Sequence, residues 1–307
     1  MRAPGSIARC LTTVLLLSGT LSACRSTTQP HPDGSVTTVF TVVTSTDVYG
    51  DIATQIAGPD ARVTAIIANP LADPHSYSAD AQDALAVSKA SVIVENGGGY
   101  DDFLSELSAS VGRKSAVVLN AVDLSGKTQN DSLNEHVFYD FPTVAKVARA
   151  LVATLSAQDP AHGPGYAARG DALLAGLTAL ESREAALARQ HAGAQVLVTE
   201  PVPLYLLAAS GLVDRTPTAF SQAIEQGTDV SPRVLDEMLG LLRDHQISLL
   251  AYNEQTTDAT TDRVLAAARA ASVPVVPVTE TLPPNEHYLD WMARNLTAVQ
   301  SALGDPT

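Results

Sequence analysis

The chain has 307 residues, 33 of them acidic against 19 basic, and a formal net charge of −14. A nucleic-acid binder needs a basic face to neutralise phosphates, and no Lys/Arg cluster supplies one. Charged residues at 17% and hydrophobic residues at 45%, with 18 Pro and 19 Gly scattered along the chain, exclude a disordered or fibrous class; the length allows two lobes that each bury a core.

Arg2 and Arg9 precede an apolar stretch from Leu11 to Leu17, and small residues follow up to Ala23, which is the layout of a secretory signal over residues 1–23. The apolar run is too short to span a bilayer, which takes about 20 residues. Leu21-Ser22-Ala23-Cys24 resembles a bacterial lipobox, and that resemblance implies lipid on Cys24 and attachment to the extracytoplasmic face of the membrane. Only Cys10 and Cys24 exist, so the cleaved chain would hold one cysteine and no internal disulfide. Cleavage would also remove Arg2 and Arg9 and take the charge from −14 to −16. Residues 24–35, polar and carrying Pro30 and Pro32, read as a tether.

Beyond the tether, apolar runs alternate with helix-length patterns. Strands are expected at Thr37 to Thr44, Arg62 to Ala68, Ser91 to Glu95 and Ser115 to Asn120, and helices around Val48 to Ile56, Ala79 to Lys89, Asp101 to Ser108 and Pro142 to Leu155. The runs VTAIIA, SVIVE and AVVLN show little alternation, which predicts strands of a parallel sheet buried on both faces. From Pro164 to His191 the chain is rich in Ala and Leu, and Leu173, Leu174, Leu177, Leu180 and Leu187 fall at intervals compatible with one helical face. A helix of about 25 residues would run nearly 40 Å, long enough to join two lobes. The pattern then restarts, with strands at Gln195 to Thr199, Ser248 to Tyr252 and Pro274 to Val278 between helices around Val202 to Ala209, Ser231 to His245, Asp258 to Ala271 and Tyr288 to Leu303. The expected architecture is α/β, with two similar lobes over residues 36–162 and 193–307, each a parallel-rich sheet flanked by helices, joined by one long α-helix over 163–192.

Of seven histidines, His31 lies in the tether, His162 in a Pro/Gly-bounded loop, and His191 and His245 at helix ends where a cation is favourable, so all four read as solvated. His75 sits in the loop NPLADPHSYSAD directly after the run VTAIIA, beyond the strand end where open α/β sheets place their ligands. His136 stands just ahead of the helix that Pro142 opens. In the second half, Glu200 closes QVLVTE and Glu280 closes PVVPVTE, each at a strand end; Glu286 and His287, before the last helix, are weaker candidates. Two imidazoles from one lobe and two carboxylates from the other suit Zn²⁺ or Mn²⁺, and the lack of thiolates argues against Fe–S or Cu(I).

The stretches ADPHSY (72–77), ENGGGYDDFL (95–104), NEHVFYDFPT (134–143), TEPVPLYL (199–206), YNEQT (252–256) and ETLPPNEHYLDWMARNL (280–296) resemble those of the zinc/manganese solute-binding lipoproteins of bacterial ABC metal importers. The resemblance implies one divalent cation, Zn²⁺ or Mn²⁺, held at the lobe interface by a monomer and delivered to an ABC permease. It carries His75 and His136 over as N-lobe ligands, Glu200 as the third and Glu280 as the fourth. Glutamate replaces the aspartate that relatives commonly carry at the last position, which leaves Glu286 and His287 as alternative ligands. The His-rich loop of many zinc importers is missing, since residues 126–134 contain no histidine. Some relatives carry an adhesion name, for which no residue here argues. Two rival classes are a membrane-anchored metallohydrolase, with Glu254 or Asp73 as base, and a binder of a metal chelate. No HExxH, GxSxG or P-loop pattern supports the first, and an aromatic content of 5% does not favour the second.

Overall fold

The computed structural model describes residues 40–70, 72–112, 115–128, 133–244 and 246–304. The signal segment, Cys24, the tether with His31, and His245 lie outside the described residues.

Eight strands form two sheets. β1 (Thr41–Thr46), β2 (Arg62–Ile67), β3 (Val92–Glu95) and β4 (Val117–Asn120) pair in the order β2-β1-β3-β4. β5 (Gln195–Val198), β6 (Val213–Asp214), β7 (Ile247–Asn253) and β8 (Val275–Val278) pair in the order β6-β5-β7-β8. Every pairing is parallel. Both sheets therefore reverse strand order beside their first strand, and a crevice opens at the C-terminal strand ends there. The N-terminal lobe adds α1 (Asp47–Ala57), α2 (Ala81–Ser88), α3 (Asp102–Ser110), α4 (Ala121–Ser125) and α5 (Phe141–Gln158). The C-terminal lobe adds α7 (Leu204–Ala209), α8 (Thr218–Glu225), α9 (Pro232–Arg243), α10 (Ala259–Ala270) and α11 (Tyr288–Ala302). Between them runs α6 (Gly163–His191), a helix of 29 residues, about 43 Å at 1.5 Å per residue.

α6 packs against α5 and α1 on one side and α11 and α7 on the other, so it belongs to both lobes. Its Leu173, Leu177, Leu180 and Leu187 are buried in one continuous core that reaches from Val42 and Val94 to Val198, Trp291 and Val299. Glu184 lies on the same inner face and is only 4% exposed. Smaller clusters cover the far face of each sheet, one around Ile93 and Leu104, the other around Leu250 and Met238. Cross-lobe hydrogen bonds add to the shared core. The Tyr288 hydroxyl donates to the Phe138 carbonyl at 2.6 Å, Tyr205 to Asn134 at 2.7 Å and Tyr139 to Thr279 at 2.8 Å.

Two expectations need correction. Neither AVVLN nor VTAIIA forms a strand buried on both faces: Val117 and Val118 of β4 are 39% and 46% exposed and β2 is only half-buried along most of its length, because β4 and β2 are the edge strands of their sheet. The segments of α4, β6 and α8 were not anticipated as elements; each is eight residues or fewer, too short for a clear apolar period.

Candidate metal centre

His75 sits on a one-turn 3₁₀ helix (Pro74–Ser76) just beyond β2. Pro74 presets the turn, and the Asp73 carboxylate caps it by accepting from the His75 amide and the Ser76 hydroxyl, both at 2.9 Å. The residue is exposed mainly through its main chain, since its side chain keeps 22% of its free surface. His136 stands immediately before a second 3₁₀ turn (Val137–Tyr139) and is 1% exposed. Asn134 fixes its ring. Asn134 Nδ2 donates to the Pro201 carbonyl at 2.8 Å, so its Oδ1 must accept, and the His136 Nδ1 at 2.8 Å must carry the proton. Nε2 is thereby the nitrogen left for a ligand, the arrangement that outer partners impose on metal-binding imidazoles.

Glu280 follows β8 and is 3% exposed. Its Oε1 accepts from Asn253 Nδ2 at 2.8 Å, while Oε2 lies 3.5 Å from His136 Nε2 and 3.8 Å from His75 Nε2. Both His136 Nε2 and Glu280 Oε2 are buried without a hydrogen-bond partner. One ligand atom from each of His75, His136 and Glu280 can be chosen so that all three lie within 4.8 Å of one another. Tyr100 packs edge-on against both imidazoles, with centroids 5.0 and 5.6 Å away.

Charge is balanced inside this pocket. Burial opposes a proton on His136, but the Glu280 carboxylate, with Glu135 and Glu225 nearby, outweighs it and raises the imidazole above its ordinary value. Burial likewise opposes charge on Glu280, and His136, His75 and Asn253 reverse the effect and lower its carboxyl. A proton on His136 Nε2 thus occupies the direction in which a cation would be held.

Glu200, after β5, is 3% exposed and lies beside the cluster rather than within it. Its Oε2 accepts from Asn253 Nδ2 and the Thr256 hydroxyl, so Asn253 bridges the two glutamates. Burial first, then the Glu280 charge, push the Glu200 carboxyl up to about 7 against the pull of those two donors. Glu286 instead pairs with Arg294 at 2.9 Å, and His287 Nδ1 lies 2.7 Å from Asp51 with a side chain 69% exposed; neither joins the cluster.

Three participants were not singled out in the sequence. Gln255 accepts the Glu280 amide through Oε1, and its Nε2 donates to Thr281 Oγ1 and to the Pro70 carbonyl, each at 2.8 Å, tying the loop ahead of His75 to that of Glu280. Glu225 ends α8 with Oε1 3.8 Å from His136 Nδ1. Glu135, Glu225 and His75 also present ligand atoms within 4.8 Å of one another. Only the adjacency of Glu135 to His136 was a local signal; Gln255 and Glu225 meet the site through tertiary contacts.

Two parallel-sheet lobes on one helical spine, with imidazoles and a carboxylate converging between them, define the class of two-lobed solute-binding proteins with a rigid linker. A family model described as ZnuA, zinc-uptake complex component A periplasmic, matches residues 42–302, and the chain belongs to that family, one of binding components and not of enzymes. It is 31% identical over 142 residues to the manganese-binding lipoprotein MntA of Halalkalibacterium halodurans, an alignment covering 46% of this chain and 47% of MntA, so the chain matches about half the length of that curated relative. Among solved structures, the periplasmic zinc-binding protein TroA from Treponema pallidum superposes with a TM-score of 0.72 at 19% identity, covering 86% of this chain and 99% of TroA. FpvC of P. aeruginosa, solved with Ni²⁺, gives 0.71 at 21% identity over 86% of this chain and 97% of its own. These structures share the fold.

Proposed function

We propose that this protein captures Zn²⁺ or Mn²⁺ outside the cytoplasm and delivers it to an ABC permease. The observation that carries the reading is the convergence of His75, His136 and Glu280 at the lobe junction, with His136 Nε2 and Glu280 Oε2 both buried and making no hydrogen bond. A buried acceptor left unpaired costs about 1–3 kcal/mol, which a bound cation would offset. Glu200 completes the set as fourth ligand, by exchanging its bonds to Asn253 and Thr256 for the ion. Family membership supports the transport role, and the named ligands of MntA and TroA, manganese and zinc, support the cation class. Two imidazoles with two carboxylates accept either metal, Zn²⁺ more tightly in the test tube.

In this reading residues 1–23 are a removed signal, Cys24 carries lipid, 24–35 is the tether, and a monomer is built from lobes 36–162 and 193–307 on the helix 163–192. No helix among the described residues is long and apolar enough to cross a membrane. Elemental analysis of protein purified without added metal, followed by Zn²⁺/Mn²⁺ competition calorimetry, tests the reading. One ion per chain is expected, with His136→Ala weakening affinity at least a hundredfold; unaltered binding by His136→Ala would refute the site. Cys24→Ala should release the protein from membranes.

A further inference from the structure

Glu225 is placed expensively for an ordinary residue. It is the last residue of α8, where the helix dipole disfavours an acid, and its Oε1 is buried without a hydrogen-bond partner. Among the described residues no basic side chain pairs with it at short range except His136, whose Nδ1 is 3.8 Å away and already donates to Asn134. Glu135 precedes His136 in the chain and brings a second half-buried carboxylate to the same place. With His75 these two acids put one ligand atom each within 4.8 Å of one another.

We propose that His75, Glu135 and Glu225 form a second divalent-cation position on the outer side of the first, through which an ion passes on its way to His136 and Glu280. This rests on the cation-binding reading of the cleft. The direction follows from burial: Glu135 and Glu225 are half-buried, His136 and Glu280 are buried, and His75, common to both sets, keeps 22% of its side-chain surface. The donor chemistry follows the same gradient. Two carboxylates with one imidazole make a hard, mainly oxygen site that takes Mn²⁺ or Zn²⁺ from water without demanding full dehydration. The inner position, with two imidazoles and the buried carboxylates of Glu280 and Glu200, holds the ion harder. His75 belongs to both sets, so the ion exchanges Glu135 and Glu225 for His136 and Glu280 while keeping one ligand throughout. Glu225 lies at the boundary, in reach of the outer ion and beside the inner imidazole.

Mn²⁺ titrations of the full mature chain, read by the loss of the hexaaqua Mn²⁺ spin-resonance signal, test this. The inner-site variant His136→Ala/Glu280→Gln should still bind one Mn²⁺, at least a hundredfold more weakly than the unaltered protein. Adding Glu135→Gln and Glu225→Gln to it should weaken that residual binding by a further tenfold or more. Residual binding that is missing, or indifferent to the two outer substitutions, overturns the outer position while leaving the inner one standing. Failure of the unaltered protein to bind Mn²⁺ or Zn²⁺ overturns the functional reading itself. If the fourfold variant loses its thermal transition, stopped-flow association decides with Glu225→Gln alone: Mn²⁺ capture at least fivefold slower supports the outer position, and an unchanged rate refutes it.

Discussion

Glu184 offers a quantitative test of the spine. It sits on the apolar face of α6, 4% exposed, and burial pushes its carboxyl from 4.5 up to about 8, with Glu181 and Asp140 adding to the rise. A group whose folded value is raised binds its proton more tightly in the native state, so stability is fully present below 4.5 and is lost as pH climbs to 8. At 1.4 kcal/mol per unit, roughly 2 kcal/mol of that loss falls between pH 6 and pH 8. Glu184→Gln keeps the shape and removes the titration. Its melting temperature relative to the unaltered protein should rise by about 4–8 °C between pH 6 and pH 8, at about 2–4 °C per kcal/mol for a domain of this size. Differential scanning calorimetry of both proteins across this range, without metal, isolates Glu184 from every other titrating group because those are common to both. Parallel curves, with a constant offset between the two, would refute a protonated Glu184 in the spine.

Metal uptake should displace the proton that Glu280 holds on His136, so binding near pH 7.5 should release about one proton and affinity should rise with pH through the neutral range. Calorimetry in buffers of different ionisation enthalpy checks this, and heats independent of buffer would contradict it. Gln255→Ala severs the tie between the Pro70 and Glu280 loops and should speed metal release about tenfold, near 1.4 kcal/mol for the lost hydrogen bonds, as read by chelator-triggered dissociation. Gly211 adopts φ +76°, and an added Cβ would stand 2.9 Å from the Ala188 backbone of α6. Gly211→Ala should therefore destabilise by about 1–3 kcal/mol, visible as a lower urea midpoint with an unchanged slope.

The secondary structure was legible wherever an element was long or strongly apolar. β2, β3, α6, α10 and α11 lie within a few residues of their expected positions, since VTAIIA, SVIVE and the leucine spacing of 173–187 carry strong periods. The structure brings His75, His136 and Glu280 together, and each was readable as a candidate because it leaves a strand end or opens a helical turn. Glu200 was recognised for the same reason, yet its carboxylate rests on Asn253 and Thr256, a choice made by side chains that arrive from β7 and the loop beyond it. Glu225 and Gln255 had no such local mark. Gln255 meets Glu280, 25 residues on, because β7 and β8 pair in one sheet, and Glu225 meets His136, 89 residues back, across the junction of the two lobes.

The 29 residues of α6 set more than a distance. Each residue added to a helix advances it 1.5 Å and turns it 100°. A single insertion between the part that seats α1 and α5 and the part that seats α11 and α7 would swing one lobe about a quarter turn. Four insertions would restore the angle only to within about 40° and lengthen the spacing by about 6 Å. No small insertion recovers both angle and spacing, so Glu280 would no longer face the two imidazoles. The side chains of α6 answer to packing, whereas its residue count answers to the metal centre, a constraint that substitution experiments cannot reveal and that insertion scanning can.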